Sequence, residues 1–172
     1  TNLVASPGTT TRTSTFDLAR LNPAAKMANA SFLGGPPAPG AQSFTINGVT
    51  INYDTAADSL NDVIGRINAS TAGVTARYDG QTDTITLTQA KTGSLTITLA
   101  DNGGGDFLTK TGLLAATQTM GTNAQYSIDG GATQYSDSNT VTVNGSTLTL
   151  TATTATPARV TVSQDTASAL TA

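Results

Sequence analysis

Asn47-Gly48 lies between the alternating runs Phe44-Thr45-Ile46 and Val49-Thr50-Ile51, and no other feature restricts the fold of this chain as strongly. An Asn-Gly pair accepts positive φ at both central positions of a two-residue type I′ turn, whose twist suits the strands on either side. Such a turn fixes the register. Ile46 then faces Val49 and Phe44 faces Ile51, so these apolar side chains share one face while Thr45 and Thr50 point away. The next segment supplies a cover for that face, because Leu60, Val63, Ile64 and Ile67 recur at i, i+3, i+4 and i+7 as one helical stripe. Ser59 is placed to cap this helix, and Asp62 three residues on completes a capping box with a shorter acid than usual. Asp58 and Asp62 suit the positive helix end, Asp62 and Arg66 form an i,i+4 pair, and Gly73 ends or follows the helix.

Further strands are expected from period-two alternation: Val74, Ala76 and Tyr78, then Ile85 and Leu87, then Leu95, Ile97 and Leu99. The fold class expected is mainly β (α+β), two small β-rich domains of antiparallel sheets with one amphipathic helix packed on the inserted domain. Residues 1–12, rich in Ser, Thr, Gly and Pro, are expected to be disordered or an edge of the folded unit. Phe16, Leu18 and Leu21 mark a strand, with a short helix possible over 24–28, and GGPPAPG at 34–40 is the clearest breaker. Two further hairpins turn at Asp129-Gly130 and Asn144-Gly145, the second bringing Val141 and Val143 against Leu148. The pattern suggests a discontinuous β domain, 13–33 plus 122–166, carrying 34–121 as an insertion, with 167–172 as a tail.

Several of these segments resemble known flagellar sequences. INGV at 46–49, SLNDVIGRINAS at 59–70, AGVTARYD at 72–79 and ITLT at 85–88 resemble the flagellar hook IN motif, named for an Ile-Asn pair that matches Ile67-Asn68. The matching positions are Ile46, Asn47, Gly48, Leu60, Ile64, Ile67, Asn68 and Gly73, and the resemblance implies structural roles for them. DFLTKTGLL at 106–114 is similar to the segment after the motif in such proteins, where Asp106 would N-cap a short helix at Phe107. GTNAQYSIDGG at 121–131, SNTVTVNGSTLTLT at 138–151 and ARVTVSQDT at 158–166 are similar to a segment of the filament-capping proteins, the hook-associated protein 2 family.

The resemblance, spanning roughly 13–166, implies a non-enzymatic structural protein of the bacterial flagellum without cofactors. It implies an extracellular oligomer at the filament tip, exported without a cleaved signal peptide, beneath which flagellin subunits fold and insert. Its partners would be other copies of itself and flagellin. The chain lacks the heptad-patterned terminal helices of that family, so it is expected to be a piece without the assembly region, monomeric or weakly associated by itself. Two alternatives stay open: the outer variable region of a flagellin or other hook-associated protein, and a β-rich adhesive or carbohydrate-binding module that would stack sugars on Tyr53, Tyr78, Tyr126 or Tyr135.

Composition narrows the classes. Only 5% of residues are aromatic and about one in five is threonine, so the cores must be small and the surfaces β-rich. A net charge of −3 with eight scattered Lys and Arg offers no basic patch for nucleic acid, and no apolar run is long enough for membrane insertion. The chain has no Cys and no His, which removes thiol chemistry, imidazole-based triads and His-ligated zinc. Carboxylate pairs remain: Asp54 and Asp58, Asp79 and Asp83, Asp101 and Asp106. A glycosidase needs two converging acids, whereas each of these pairs sits in a turn or cap context that Asp favours structurally. DNGGGD at 101–106 lacks the ligand ladder of a calcium loop and the lysine of a P-loop. No catalytic, cofactor-binding or metal residue is assigned. Asn68 either recognises a partner or bonds free carbonyls of the last helical turn, and Gly65 either admits a neighbour or merely weakens the helix. NAS at 29–31 and 68–70 and NGS at 144–146 match the glycosylation sequon.

Overall fold

The computed structural model describes residues 10–15, 22–29, 32, 35–154 and 156–161. The hairpin at Asn47-Gly48 forms with the register its sequence dictates: β2 (Ala41–Ile46) pairs with β3 (Val49–Asp54) through Phe44 with Ile51 and Ile46 with Val49. Asn47 and Gly48 take φ of 49° and 79°, the left-handed values a type I′ turn demands. Helix α1 (Leu60–Ala69) begins at Ser59, whose hydroxyl accepts from the Asp62 N–H while the Asp62 carboxylate accepts from the Ser59 N–H, so the capping box is complete. Leu60, Val63 and Ile67 are buried and Ile64 half-buried.

Strands β4 (Val74–Asp79) and β5 (Thr84–Gln89) pair next, and after them come β6 (Leu99–Asn102), a short helix α2 (Phe107–Lys110) and β7 (Gln118–Thr119). With β1 (Thr11–Thr15) they make two antiparallel sheets, one ordered β4-β5-β1-β7 and one ordered β3-β2-β6. One core joins both sheets and α1, and at its centre the Phe44 and Phe107 rings stack at 4.9 Å with Tyr53 tilted 5.5 Å from Phe107. The terminal part holds two separate hairpins: β8 (Ala124–Tyr126) with β9 (Gln134–Ser136), and β10 (Thr140–Val143) with β11 (Ser146–Thr149). They enclose a second, smaller core of Ala124, Val141, Val143 and Leu150. The molecule is thus mostly β, with antiparallel sheets and two α-helices among the described residues.

Three local features depart from the sequence reading. The alternation at Leu95, Ile97 and Leu99 yields a strand only from Leu99 onward, although Ile97 is fully buried. The reason is that side chains serve the backbone of 96–98: Gln89 donates to the Thr96 carbonyl, and Gln118 both accepts from the Ile97 N–H and donates to the Ile97 carbonyl. Arg66 turns away from Asp62 and makes a two-pronged pair with Asp58, because Asp62 is already occupied by the cap. Asp106 stands at the N-cap of α2 without capping it: its carboxylate accepts from the Ala38 N–H, and Asp101 instead accepts from the Leu108 and Thr109 N–H groups.

At the N-terminal side, Thr10 is fully buried and Thr11–Thr15 pair with β5 and β7, rather than with the terminal hairpins or as a loose edge. Met27 and Phe32 enter the larger core, and residues 27–29 form a single 3-10 turn. Phe16, Leu18 and Leu21, with residues 1–9 and 162–172, lie outside the described residues.

Candidate functional site

The IN-like residues converge on helix α1 and the two sheet edges that it closes. β3 and β4 are each the outer strand of their sheet, so each would present unpaired N–H and C=O groups. On β4, the Asn68 carboxamide acts as a one-residue strand: Nδ2 donates to the Ala76 carbonyl at 3.0 Å and Oδ1 accepts from the Ala76 N–H at 2.7 Å. On β3, Arg66 donates to the Asn52 carbonyl at 2.9 Å while its partner Asp58 accepts from the Asp54 N–H at 2.7 Å. The helix places Arg66 and Asn68 two positions apart, so one reaches each edge while Ile67 between them stays in the core. Asn68 therefore bonds a strand, in place of either helix-end carbonyls or a separate partner.

Asn47 supplies a third link. Its Nδ2 donates to the Ala72 carbonyl and its Oδ1 accepts from the Thr98 N–H, both at 2.9 Å, while its own N–H donates to the Thr98 carbonyl. The turn residue thus ties the hairpin to the loop after α1 and to the segment before β6. Gly73 comes next with φ of 69°, and its carbonyl accepts from the Ala90 N–H. Ile46, Leu60 and Ile67 are buried beneath these links, Ile64 is half-buried, and Gly48 only completes the turn. Gly65 is exposed, and a methyl group there would meet nothing.

Each carboxylate pair has a local occupation. Asp54 accepts from Ala56 N–H and Asp79 from Gln81 N–H, both turn bonds, while Asp83 accepts from the Tyr78 hydroxyl. The Arg66 guanidinium holds Asp58 below the usual carboxylate range, and bonds from Ser59 and from the Gln81 N–H do the same for Asp62 and Asp79. None of these three is poised as a proton donor near neutrality. An open groove of about 940 Å³, lined by β2, β3 and the end of β6, contains this neutralised Asp58–Arg66 pair. Among the described residues no group of His, Cys, Asp or Glu is arranged to hold a metal ion, and no helix is long and apolar enough to cross a membrane. Of the tyrosines, Tyr53 is in the core, Tyr78 and Tyr126 are half-buried, and Tyr135 is 65% exposed.

Gln118, Asp101 and Gly105 escape sequence reasoning. Gly105 lies where an added methyl would come within 2.9 Å of the Ser43 carbonyl, a contact no sequence spacing announces.

The region that carries Asn47, Asn68 and Gly73 matches a known family model. Residues 43–98 carry the flagellin hook IN motif. This span covers the hairpin from Ser43, the helix, β4 and β5; within it Asn47 ties the hairpin to the loop after α1 and Asn68 closes the edge of β4. Beyond it, the chain is 38% identical over 104 residues to flagellar hook-associated protein 2 of Thermotoga maritima, a match that takes in 58% of this chain and 17% of that protein. The fold is similar to the D2-D3 domains of the flagellar cap protein FliD from Escherichia coli, with a TM-score of 0.61 and 22% identity over 91% of this chain and 81% of that one. The equivalent domains from Serratia marcescens also give 0.61, at 21% identity over 94% of this chain and 90% of theirs. The chain has the D2-D3 fold and spans less than a fifth of the length of the curated relative it matches.

Proposed function

We propose that this chain is the outer part of a flagellar cap, a structural element at the filament tip. The observation that carries the reading is the D2-D3 fold over more than nine-tenths of the chain, together with the hook-associated protein 2 match that extends beyond the IN motif. Supporting it is the occupation of polar groups among the described residues: the Asp58 carboxylate and the Asn68 carboxamide close strand edges, and the Asp101 carboxylate caps α2. In this role the chain acts as a rigid plate, extracellular and exported without a cleaved signal. Other copies of the full-length protein and flagellin subunits are its partners, and flagellin folds and inserts beneath the assembled plate. The isolated domains are monomeric or weakly associated, and the full-length protein forms the oligomer. Tyr135, exposed on β9, is the one tyrosine open enough to serve the alternative of an adhesive module, but a single ring gives no stacking platform.

Deleting the full-length gene tests the proposal. Loss of filaments with unpolymerised flagellin in the medium is expected, and normal filaments in the deletion strain would overturn it.

A further inference from the structure

Two Asn-Gly turns in this molecule have the same backbone and different side-chain surroundings. Asn47-Gly48 and Asn144-Gly145 each place both residues at positive φ, 49° and 79° in the first and 49° and 78° in the second. In the first, the Asn47 carboxamide is held at both ends, by the Ala72 carbonyl and by the Thr98 N–H. Its hairpin lies in a three-stranded sheet with Phe44 and Ile46 in the main core. In the second, Asn144 is exposed and its side chain has no hydrogen-bond partner among the described residues. Among the described residues its hairpin is a two-stranded ribbon, β10 with β11, resting on the smaller core. A third pair, Asn102-Gly103, is intermediate: Asn102 is half-buried, pairs through β6 with Ser43, and reaches the Ser43 hydroxyl at 3.4 Å.

We infer that Asn144 is a site of spontaneous deamidation and that Asn47 is protected from it. In the reaction the deprotonated backbone nitrogen of Gly145 attacks Cγ of Asn144, the new N–C bond closes a five-membered imide, and the Nδ2 group takes up a proton and leaves as ammonia. Water then opens the ring at either carbonyl, giving aspartate or isoaspartate, so the net change replaces a side-chain NH2 by OH and adds one negative charge. Glycine after the asparagine favours attack because it has no Cβ to hinder the approach. The type I′ turn itself does not align nitrogen and Cγ, so reaction needs the turn to open. Opening is easier for an isolated two-stranded ribbon than for a hairpin inside a sheet. At Asn47 opening must also break both carboxamide bonds. The isoaspartate product puts an extra methylene in the backbone of a two-residue turn, which spoils the pairing of Val143 with Ser146 and of Val141 with Leu148.

The test is incubation of the folded chain at mildly alkaline pH with peptide-mapping mass spectrometry and enzymatic methylation of isoaspartate, in parallel with the same chain in concentrated urea. Deamidation in the folded chain is expected several-fold faster at Asn144 than at Asn102 and slowest at Asn47, with the three rates converging in urea. Asn144→Gln, which would need a less favourable six-membered ring, should remove the fast signal while leaving those at Asn47 and Asn102 unchanged. Equal rates at Asn47 and Asn144 in the folded chain would overturn the inference. So would a gap that persists in urea, since its cause would then be local sequence and not the fold.

Discussion

Replacing Asn68 with Ala isolates the contribution of the strand-like carboxamide. The change removes two hydrogen bonds, 3.0 Å and 2.7 Å, from the backbone of Ala76, a residue that is almost fully buried on the outer edge of β4. Each such bond contributes about 0.5–1.5 kcal/mol net, so the loss is about 1–3 kcal/mol. Alanine returns up to roughly 0.7 kcal/mol through its better helix propensity in the last turn of α1. The balance is a destabilisation of about 1–2 kcal/mol, which lowers Tm by about 2–8 °C for a domain of this size. Asn68→Asp sharpens the expectation, because the carboxylate still accepts from the Ala76 N–H but now faces the Ala76 carbonyl with no donor. It should destabilise more than Ala even though aspartate nearly matches asparagine in shape. Urea unfolding monitored by far-UV circular dichroism gives both values, read at constant m so that the native state is comparable. An Asn68→Ala midpoint equal to the parent, or an Asp variant as stable as the parent, would refute the edge-closure argument. Because an open β4 edge can pair with a second copy, light scattering of the Ala variant should also show an increase in association at high concentration.

Gly65→Ala is expected to stabilise the chain by about 0.5–1 kcal/mol, since the residue is exposed, helical and unopposed; unchanged or lowered stability in the same urea assay would contradict that. Phe107→Ala removes the ring stacked on Phe44 and should cost about 3–5 kcal/mol by calorimetry, with a loss under about 1 kcal/mol refuting its central place in the core. Gly93 has φ of +103° and an added methyl would lie 2.6 Å from the Asp137 carbonyl oxygen, so Gly93→Ala must separate the loop after β5 from the terminal hairpins. Faster amide exchange at 134–149 than in the parent, with the IN region unchanged, is the expected signature. The pH dependence arises from Asp58, Asp62 and Asp79, all held below their ordinary values in the fold. A depressed folded pKa gives stability that is complete above the unfolded value of about 3.9 and is lost as pH falls through the folded one. Urea midpoints should therefore be flat from neutrality to about pH 5 and decline below about pH 4, and Asp58→Asn should reduce that decline.

The elements legible in the sequence are those whose signals are local. The Asn47-Gly48 hairpin, the Ser59–Asp62 capping box and the apolar stripe of α1 each depend on residues within a few positions of one another, and all form as read. What could not be read depends on contacts made across the chain. Gln118 serves Ile97 from 21 positions away, and this is why the alternation at 95–97 gives a buried Ile97 and no strand. Arg66 had two acidic neighbours to choose from, and the cap's prior use of Asp62 sent it to Asp58, a competition that helical spacing does not resolve. The same holds for Asp101, which takes over the capping of α2 because Asp106 is drawn to Ala38 across the chain. In the site itself, the motif positions were identifiable, but the job of Asn68 was not: its partner Ala76 belongs to a strand edge that exists only once the sheet has formed.

The central claim, a structural place at the filament tip, is tested most directly by immunogold electron microscopy of intact flagella with antibodies raised against this chain. Gold confined to filament tips is the predicted result. Label along the whole filament would mark a flagellin outer region instead, label at the hook junction another hook-associated protein, and either would contradict the account.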